Sequence, residues 1–132
     1  LDISPSMLEI LKKHHGRVET VCGDVEKMPF EDESFDVVTA MFLIVHLYDL
    51  EKTFDEIYRV LKPGGIFILS NINQRKAPKL KTSDGEEIVI RSHYHMPEKV
   101  LSALEHSFFE VEKEVMVMEG KTWVNQIIKA VK

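Results

Sequence analysis

Apolar residues recur along this chain in two periods. After Asp49, the residues Leu50, Phe54, Ile57, Tyr58 and Leu61 follow at spacings of three and four, which is one face of a helix. Asp49 suits the N-cap because its side-chain oxygen can accept from an orphan backbone N–H. Pro63 cannot continue the helix, and Gly64 and Gly65 permit the positive φ of a helix exit. The run Ile66-Phe67-Ile68-Leu69-Ser70 then reads as a buried strand, as does Phe35-Asp36-Val37-Val38-Thr39-Ala40 upstream. Strand, loop, helix, glycine turn and strand make a βαβ unit, which implies a parallel pair and a right-handed crossover.

The other segments attach to this unit. Ser4-Pro5 is a helix start, with Met7, Leu8 and Leu11 as its buried stripe and Gly16 as the left-handed residue after His14-His15. Arg17 to Cys22 alternates and is β-branched, so it reads as a strand, with Gly23-Asp24-Val25 as its exit loop. Residues 26–34 are polar and turn-rich, and Met41 to Tyr48 is a loop. Asn71 to His95 is the least regular stretch, with an Asp84-Gly85 turn and a short strand over Glu87 to Arg91. Met96-Pro97-Glu98 opens a helix with Val100, Leu101 and Leu104 inside. Phe108 to Met118 and Thr122 to Val131 pair as a hairpin across Gly120. The fold class is α/β: a doubly wound, mostly parallel sheet with an antiparallel C-terminal hairpin.

The 132 residues make one domain at most, and 44% hydrophobic with 30% charged residues is a globular composition. A net charge of −5 argues against a nucleic-acid footprint. A single cysteine, Cys22, excludes an internal disulfide and fits a reducing, cytoplasmic setting. No apolar run approaches the ~18 residues of a membrane span, and no signal peptide is visible. The chain opens on Leu1-Asp2-Ile3 without Met, and the helix at Ser4 follows only the last residues of a strand. That reads as a piece of a longer protein; the alternative is a true start at Leu1 after tag cleavage.

Ligands of open parallel sheets bind outside the carboxyl ends of the strands. Asp2 ends the first strand, where its carboxylate either accepts from both hydroxyls of a nucleotide ribose or is solvated or caps the following helix. Asp24 either accepts from an adenine amino group, with the Val25 backbone N–H meeting the ring, or stabilises a turn. Ala40, Met41, Phe42 and His46 follow the Phe35 strand and floor any site there. His46 is a candidate base, or else packs beside Leu47. His93-Tyr94-His95 suggests a metal pair, but no cysteine or acidic cluster lies at ligand spacing, so no metal is expected. Tyr94 and His95 instead stand where they can close over a substrate.

Four segments in register carry a resemblance: Leu1-Asp2-Ile3-Ser4-Pro5-Ser6-Met7-Leu8, Gly23-Asp24-Val25-Glu26-Lys27-Met28-Pro29-Phe30, Ser34-Phe35-Asp36-Val37-Val38 and Arg59-Val60-Leu61-Lys62-Pro63-Gly64-Gly65. They resemble the Rossmann-like class I S-adenosylmethionine-dependent methyltransferases, most closely those acting on small molecules. The match covers Leu1 to about Leu69. Beyond it the fit is looser, with Ser107 where a Gly is usual before Phe108. The resemblance implies a cofactor site in which Asp2 holds the ribose hydroxyls and Ile3 lies against adenine. Asp24 reads the adenine amino group with Val25 beside it, and Ala40 and Met41 meet the methionine part. It implies an acceptor pocket from residues 41–48 and 71–95, with Phe42, His46, Asn71 and Tyr94 as substrate residues. His46 and His95 are the candidate bases. The cluster Arg75, Lys76, Lys79 and Lys81 either attracts an anionic substrate or is a solvated loop.

The departure from the family is its first strand with the Gly-rich loop, which this chain lacks. Residues 1–132 then form the C-terminal major part of one methyltransferase domain, with 73–95 as a substrate-side insertion. Of about seven strands in the family sheet, about five or six are expected here. An absent central strand leaves unpaired edges, each buried unpaired group costing about 1–3 kcal/mol. A missing N-terminal segment or a second chain is therefore expected to complete the sheet. Two other readings stay open: a non-catalytic partner subunit with this fold, and a nicotinamide-dependent oxidoreductase.

Overall fold

The computed structural model describes all 132 residues. The elements run α1 (Pro5–His14), β1 (Phe35–Ala40), a 3-10 turn (Ile44–His46), α2 (Leu50–Val60), β2 (Leu61–Ile72), β3 (Lys79–Lys81), β4 (Glu87–Val89), α3 (Pro97–His106), β5 (Glu110–Glu119) and β6 (Thr122–Val131). The main sheet has the order β1-β2-β6-β5, and β3-β4 is a separate hairpin. β1 and β2 are parallel, while β2–β6 and β5–β6 are antiparallel. The βαβ unit and the terminal hairpin are thus both present.

α2 starts as its sequence requires, the Asp49 carboxylate accepting from the Lys52 N–H at 3.4 Å. Its stripe Leu50, Phe54, Ile57 and Val60 is buried against Phe67 and Leu69 of β2. α3 adds Val100, Ala103 and Leu104 to the same cluster, and β6 adds Ile128 and Ala130. Phe67 sits at the centre, its ring 5.6 Å from Phe54 and 5.4 Å from Phe109. The opposite sheet face carries Val37, Ile66, Ile68, Ile127 and Val131, all partly exposed.

The helix-to-strand exit differs from expectation. β2 begins at Leu61, directly after α2, and the pairing jumps from Phe35↔Leu61 to Val37↔Ile66. The segment Lys62-Pro63-Gly64-Gly65 is therefore looped out of the ladder. Gly64 takes φ 74°, whereas Gly65 keeps an ordinary φ and is needed for space: a Cβ there would meet the Lys62 carbonyl oxygen at 2.7 Å.

The N-terminal third departs further. α1 is capped by Ser4 as expected, but only Leu8 is buried, while Met7 and Leu11 are exposed. The helix closes through the His15 N–H on the Leu11 carbonyl at 2.7 Å, without a left-handed Gly16. The strand read over Arg17 to Cys22 is reduced to one parallel bridge, Asp2↔Cys22. β1 is not a buried strand either; Val37 is 48% exposed. One cause covers the departures in burial and pairing. β1 has a neighbour only in β2, so nothing joins the Asp2 bridge to the main sheet. The main sheet consequently has four strands rather than five or six.

Candidate functional site

A cavity of about 800 Å³ opens between the Asp2–Cys22 bridge and the free flank of β1. Asp2, Ile3, Asp24, Val25, Ala40 and His46 all line it. These residues come from segments far apart in sequence, brought together at the points where extended chain hands over to loop.

Two backbone hydrogen bonds hold the first wall, Asp2 N–H to Val21 O and Gly23 N–H to Asp2 O, both 3.1 Å. Gly23 allows this approach, since a Cβ there would lie 3.0 Å from Leu1 Cδ1 and 3.2 Å from Pro29 Cδ. Asp24 also performs the turn-stabilising task considered for it, whereas the helix cap considered for Asp2 is supplied by Ser4. Asp2 Oδ1 accepts from the Ser4 N–H at 2.8 Å, and Asp24 Oδ1 accepts from the Glu26 N–H at 2.9 Å. Each carboxylate keeps its second oxygen for another partner, so the local and the ligand roles are compatible. Neither aspartate is in an ion pair, whereas the neighbouring Glu26 is held by Lys52 at 2.6 Å.

The loop after Asp24 is fixed from α2. The Arg59 guanidinium donates to the Phe30 carbonyl at 2.8 Å, the Met28 carbonyl at 3.1 Å, Asp32 at 2.7 Å and both Glu56 oxygens at 2.9 Å. Glu56 in turn accepts from the Met28 N–H at 2.9 Å. The hydrogen bond from Arg59, which outweighs the burial opposing it, holds the Glu56 carboxyl below its ordinary value. Arg59 was legible only as the start of the Arg59-to-Gly65 motif; its grip on a loop about thirty residues upstream is tertiary.

The residues assigned to the acceptor side divide. His46 lies on the 3-10 turn, exposed, on the cavity wall. Met41 and Phe42 are exposed at the β1 exit but do not line the cavity. Phe42 takes φ 60°, and its N–H donates to the Ser70 hydroxyl at 2.9 Å.

Asn71 and His95 lie apart from the cavity. Asn71 is buried, its amide donating to the His95 carbonyl at 3.2 Å and the Gln126 side chain at 3.0 Å. His95 is 3% exposed, with Nε2 at 2.8 Å from the Leu47 carbonyl. Both tie the start of α3 to the sheet and neither lines the cavity. Tyr94 stacks on Trp123 with Arg75 over its ring, also outside the cavity. The cavity wall adds Glu19, which alternation had marked only as one polar position of a strand.

Four carboxylates, those of Asp2, Glu19, Asp24 and Glu26, line this cavity, with no lysine or arginine on its wall. Such a wall favours a ligand bearing positive charge together with hydroxyl and amino donors. No group of three or more His, Cys, Asp or Glu side chains is arranged to hold a metal ion. No helix is long and apolar enough to cross a membrane.

A parallel βαβ unit with its cavity at the strand ends defines a Rossmann-like α/β domain. Residues 1–69 match the family model described as a methyltransferase domain, and the chain belongs to that family. The cofactor of these enzymes is S-adenosylmethionine. The chain is 48% identical over 64 residues to a demethylmenaquinone methyltransferase of Chlorobaculum tepidum, covering 48% of this chain and 26% of that protein. It is 37% identical over 83 residues to the mitochondrial 2-methoxy-6-polyprenyl-1,4-benzoquinol methylase of Mus musculus, covering 58% of this chain and 25% of that one. The chain thus spans about a quarter of the length of these relatives. Its fold is that of a solved S-adenosylmethionine-dependent methyltransferase from Methanosarcina mazei, with TM-score 0.74 and 17% identity over 99% of this chain and 79% of that chain.

Proposed function

We propose that this chain serves S-adenosylmethionine-dependent methyl transfer to a small-molecule acceptor. The observation that carries the reading is the convergence of Asp2, Ile3, Asp24, Val25 and Ala40 on one acidic cavity. When bound, the cofactor supplies an electrophilic methyl group on a cationic sulfonium. The chain's own residues bind and orient it. The free oxygens of Asp2 and Asp24 accept from hydroxyl and amino groups, Ile3 and Val25 give apolar contact, and the acidic wall favours the positive charge. Holding acceptor and methyl donor in line supplies much of the rate gain. Its position on the cavity wall supports His46 as the candidate base for an oxygen or nitrogen acceptor. The relatives' names point to quinol-type acceptors as the first class to test.

The same cavity continues along the free flank of β1, past Val37, Val38 and Thr39. We propose that an extended segment, from a longer form of this polypeptide or from a second chain, pairs there and joins the Asp2 bridge to the sheet. Unpaired backbone beside half-exposed Val37 supports this.

Calorimetric titration with S-adenosylmethionine tests the reading, on this chain and on a form extended at its N-terminus by natural upstream sequence. Saturable binding by either form, lost in D2A and D24A and absent with a nicotinamide dinucleotide, is expected. No binding by either form overturns it and favours a non-catalytic partner subunit. For His46, full turnover in H46A with unchanged cofactor affinity removes its assignment as a base.

A further inference from the structure

β5 is the outer strand of the sheet opposite β1, paired only with β6. Apart from Val111 it is exposed along its whole length, and its middle is the uninterrupted apolar run Val115-Met116-Val117-Met118. An open edge of this kind is a template for another strand. The irregularities of the β5–β6 ladder fall at its two ends: β5 carries an extra residue at Glu112, and β6 carries one at Val124. Past Glu112, β5 itself carries no extra residue through Glu119; opposite Val117 and Met118 the extra residue, Val124, is on β6. Lys113 and Glu119 bracket the apolar run, and neither is in an ion pair within the chain.

We propose that this edge pairs with the same edge of a second copy, antiparallel about a two-fold axis through Met116. Two regular antiparallel strands can slide only in steps of two residues relative to this register, because alternate residues turn their N–H and C=O outward. With Met116 on the axis, Lys113 faces Glu119 of the second copy and Glu119 faces its Lys113. Val115 and Val117 also face each other twice, so two ion pairs flank an apolar centre. A slide of one step either way destroys this. One direction sets Lys113 opposite Val117; the other sets it opposite Lys121, like charge against like. Opposite charges directly across a ladder are favourable and like charges unfavourable. The contact is isologous and closes at two copies. It extends the sheet through Val115, which lies on the same face as its ladder partner Ile127.

Sedimentation equilibrium of the chain over a range of concentrations tests this, with K113E, E119K and the double variant K113E/E119K. Both changed sites are exposed, and circular dichroism checks that each variant is folded. The expected results are a monomer–dimer equilibrium for the wild-type chain, a roughly tenfold or greater rise in the dissociation constant for each single variant, and recovery in the double variant. A wild-type chain that stays monomeric overturns the proposal. So does association that continues past two copies, the signature of β5 meeting the free flank of β1 head to tail. Single variants that dimerise like wild type, or a double variant that does not recover, equally rule out the Met116-centred register.

Discussion

His95 Nε2 lies 2.8 Å from the Leu47 carbonyl oxygen, while the other ring nitrogen, Nδ1, is buried with no partner. A carbonyl only accepts, so Nε2 carries a proton. Burial pushes the His95 pKa below the ordinary 6.5, against the opposing pull of the Leu47 hydrogen bond. Because the folded value is depressed, the contribution to stability is fully present above 6.5 and is lost as pH falls through the folded value. Thermal melting of the wild-type chain should therefore weaken toward acid. In H95Q, which can still donate to Leu47, the part of the slope just below the histidine range should disappear. An unchanged slope in that variant removes His95 as its source.

Arg59 fastens the loop that follows Asp24, so its loss acts at two levels. R59A should cost about 2 kcal/mol, since hydrogen bonds to charged groups are each worth roughly 1.5–3 kcal/mol and the side chain is partly screened. It should also weaken binding of S-adenosylmethionine, because residues 28–32 no longer brace the Asp24 turn. Denaturant unfolding measures the first effect and calorimetry the second; unchanged stability in R59A contradicts the clamp.

Gly64 and Gly65 are adjacent and do different work. G64A meets open space, and its cost is the left-handed φ of 74°, about 1–2 kcal/mol. G65A drives a methyl group against the Lys62 carbonyl at 2.7 Å and the Leu61 side chain at 3.0 Å, and should cost about 3 kcal/mol. The order of the two midpoints in urea is the readout, and G64A being the more damaging overturns this account.

Phe42 stores strain at the exit of β1. A non-glycine residue at φ 60° costs about 1–3 kcal/mol, and the buried Ser70 hydroxyl holds it there. F42G should raise the melting temperature by a few degrees, and S70A should lower it. If F42G is destabilising, the strain is not where the backbone places it.

Much of the fold was legible from local rules. The stripe of α2, the caps Ser4 and Asp49, the Asp84-Gly85 turn and the hairpin around Gly120 all depend on residues within a turn or two of each other, and each formed where expected. That Asp2, Asp24 and Ala40 meet on one cavity wall was legible for a related reason: a strand exit is recognisable in sequence, and the fold brings strand exits together.

What the sequence could not decide was which potential is realised. Met7, Leu11 and the segment from Arg17 to Cys22 have the right patterns, yet burial and pairing need a neighbouring strand that this sheet does not supply. His95 and Tyr94 are consecutive, and nothing local says that one ring is buried under Leu47 while the other stacks on Trp123. Asn71 stands at a strand exit like the site residues, but α3 covers it and its amide is spent on His95 and Gln126. Local sequence determined the elements, their caps and their exits, because those depend on short-range hydrogen bonds and periodicity. Tertiary structure decided which side chains face the cavity, because that depends on what packs against each element from elsewhere in the chain.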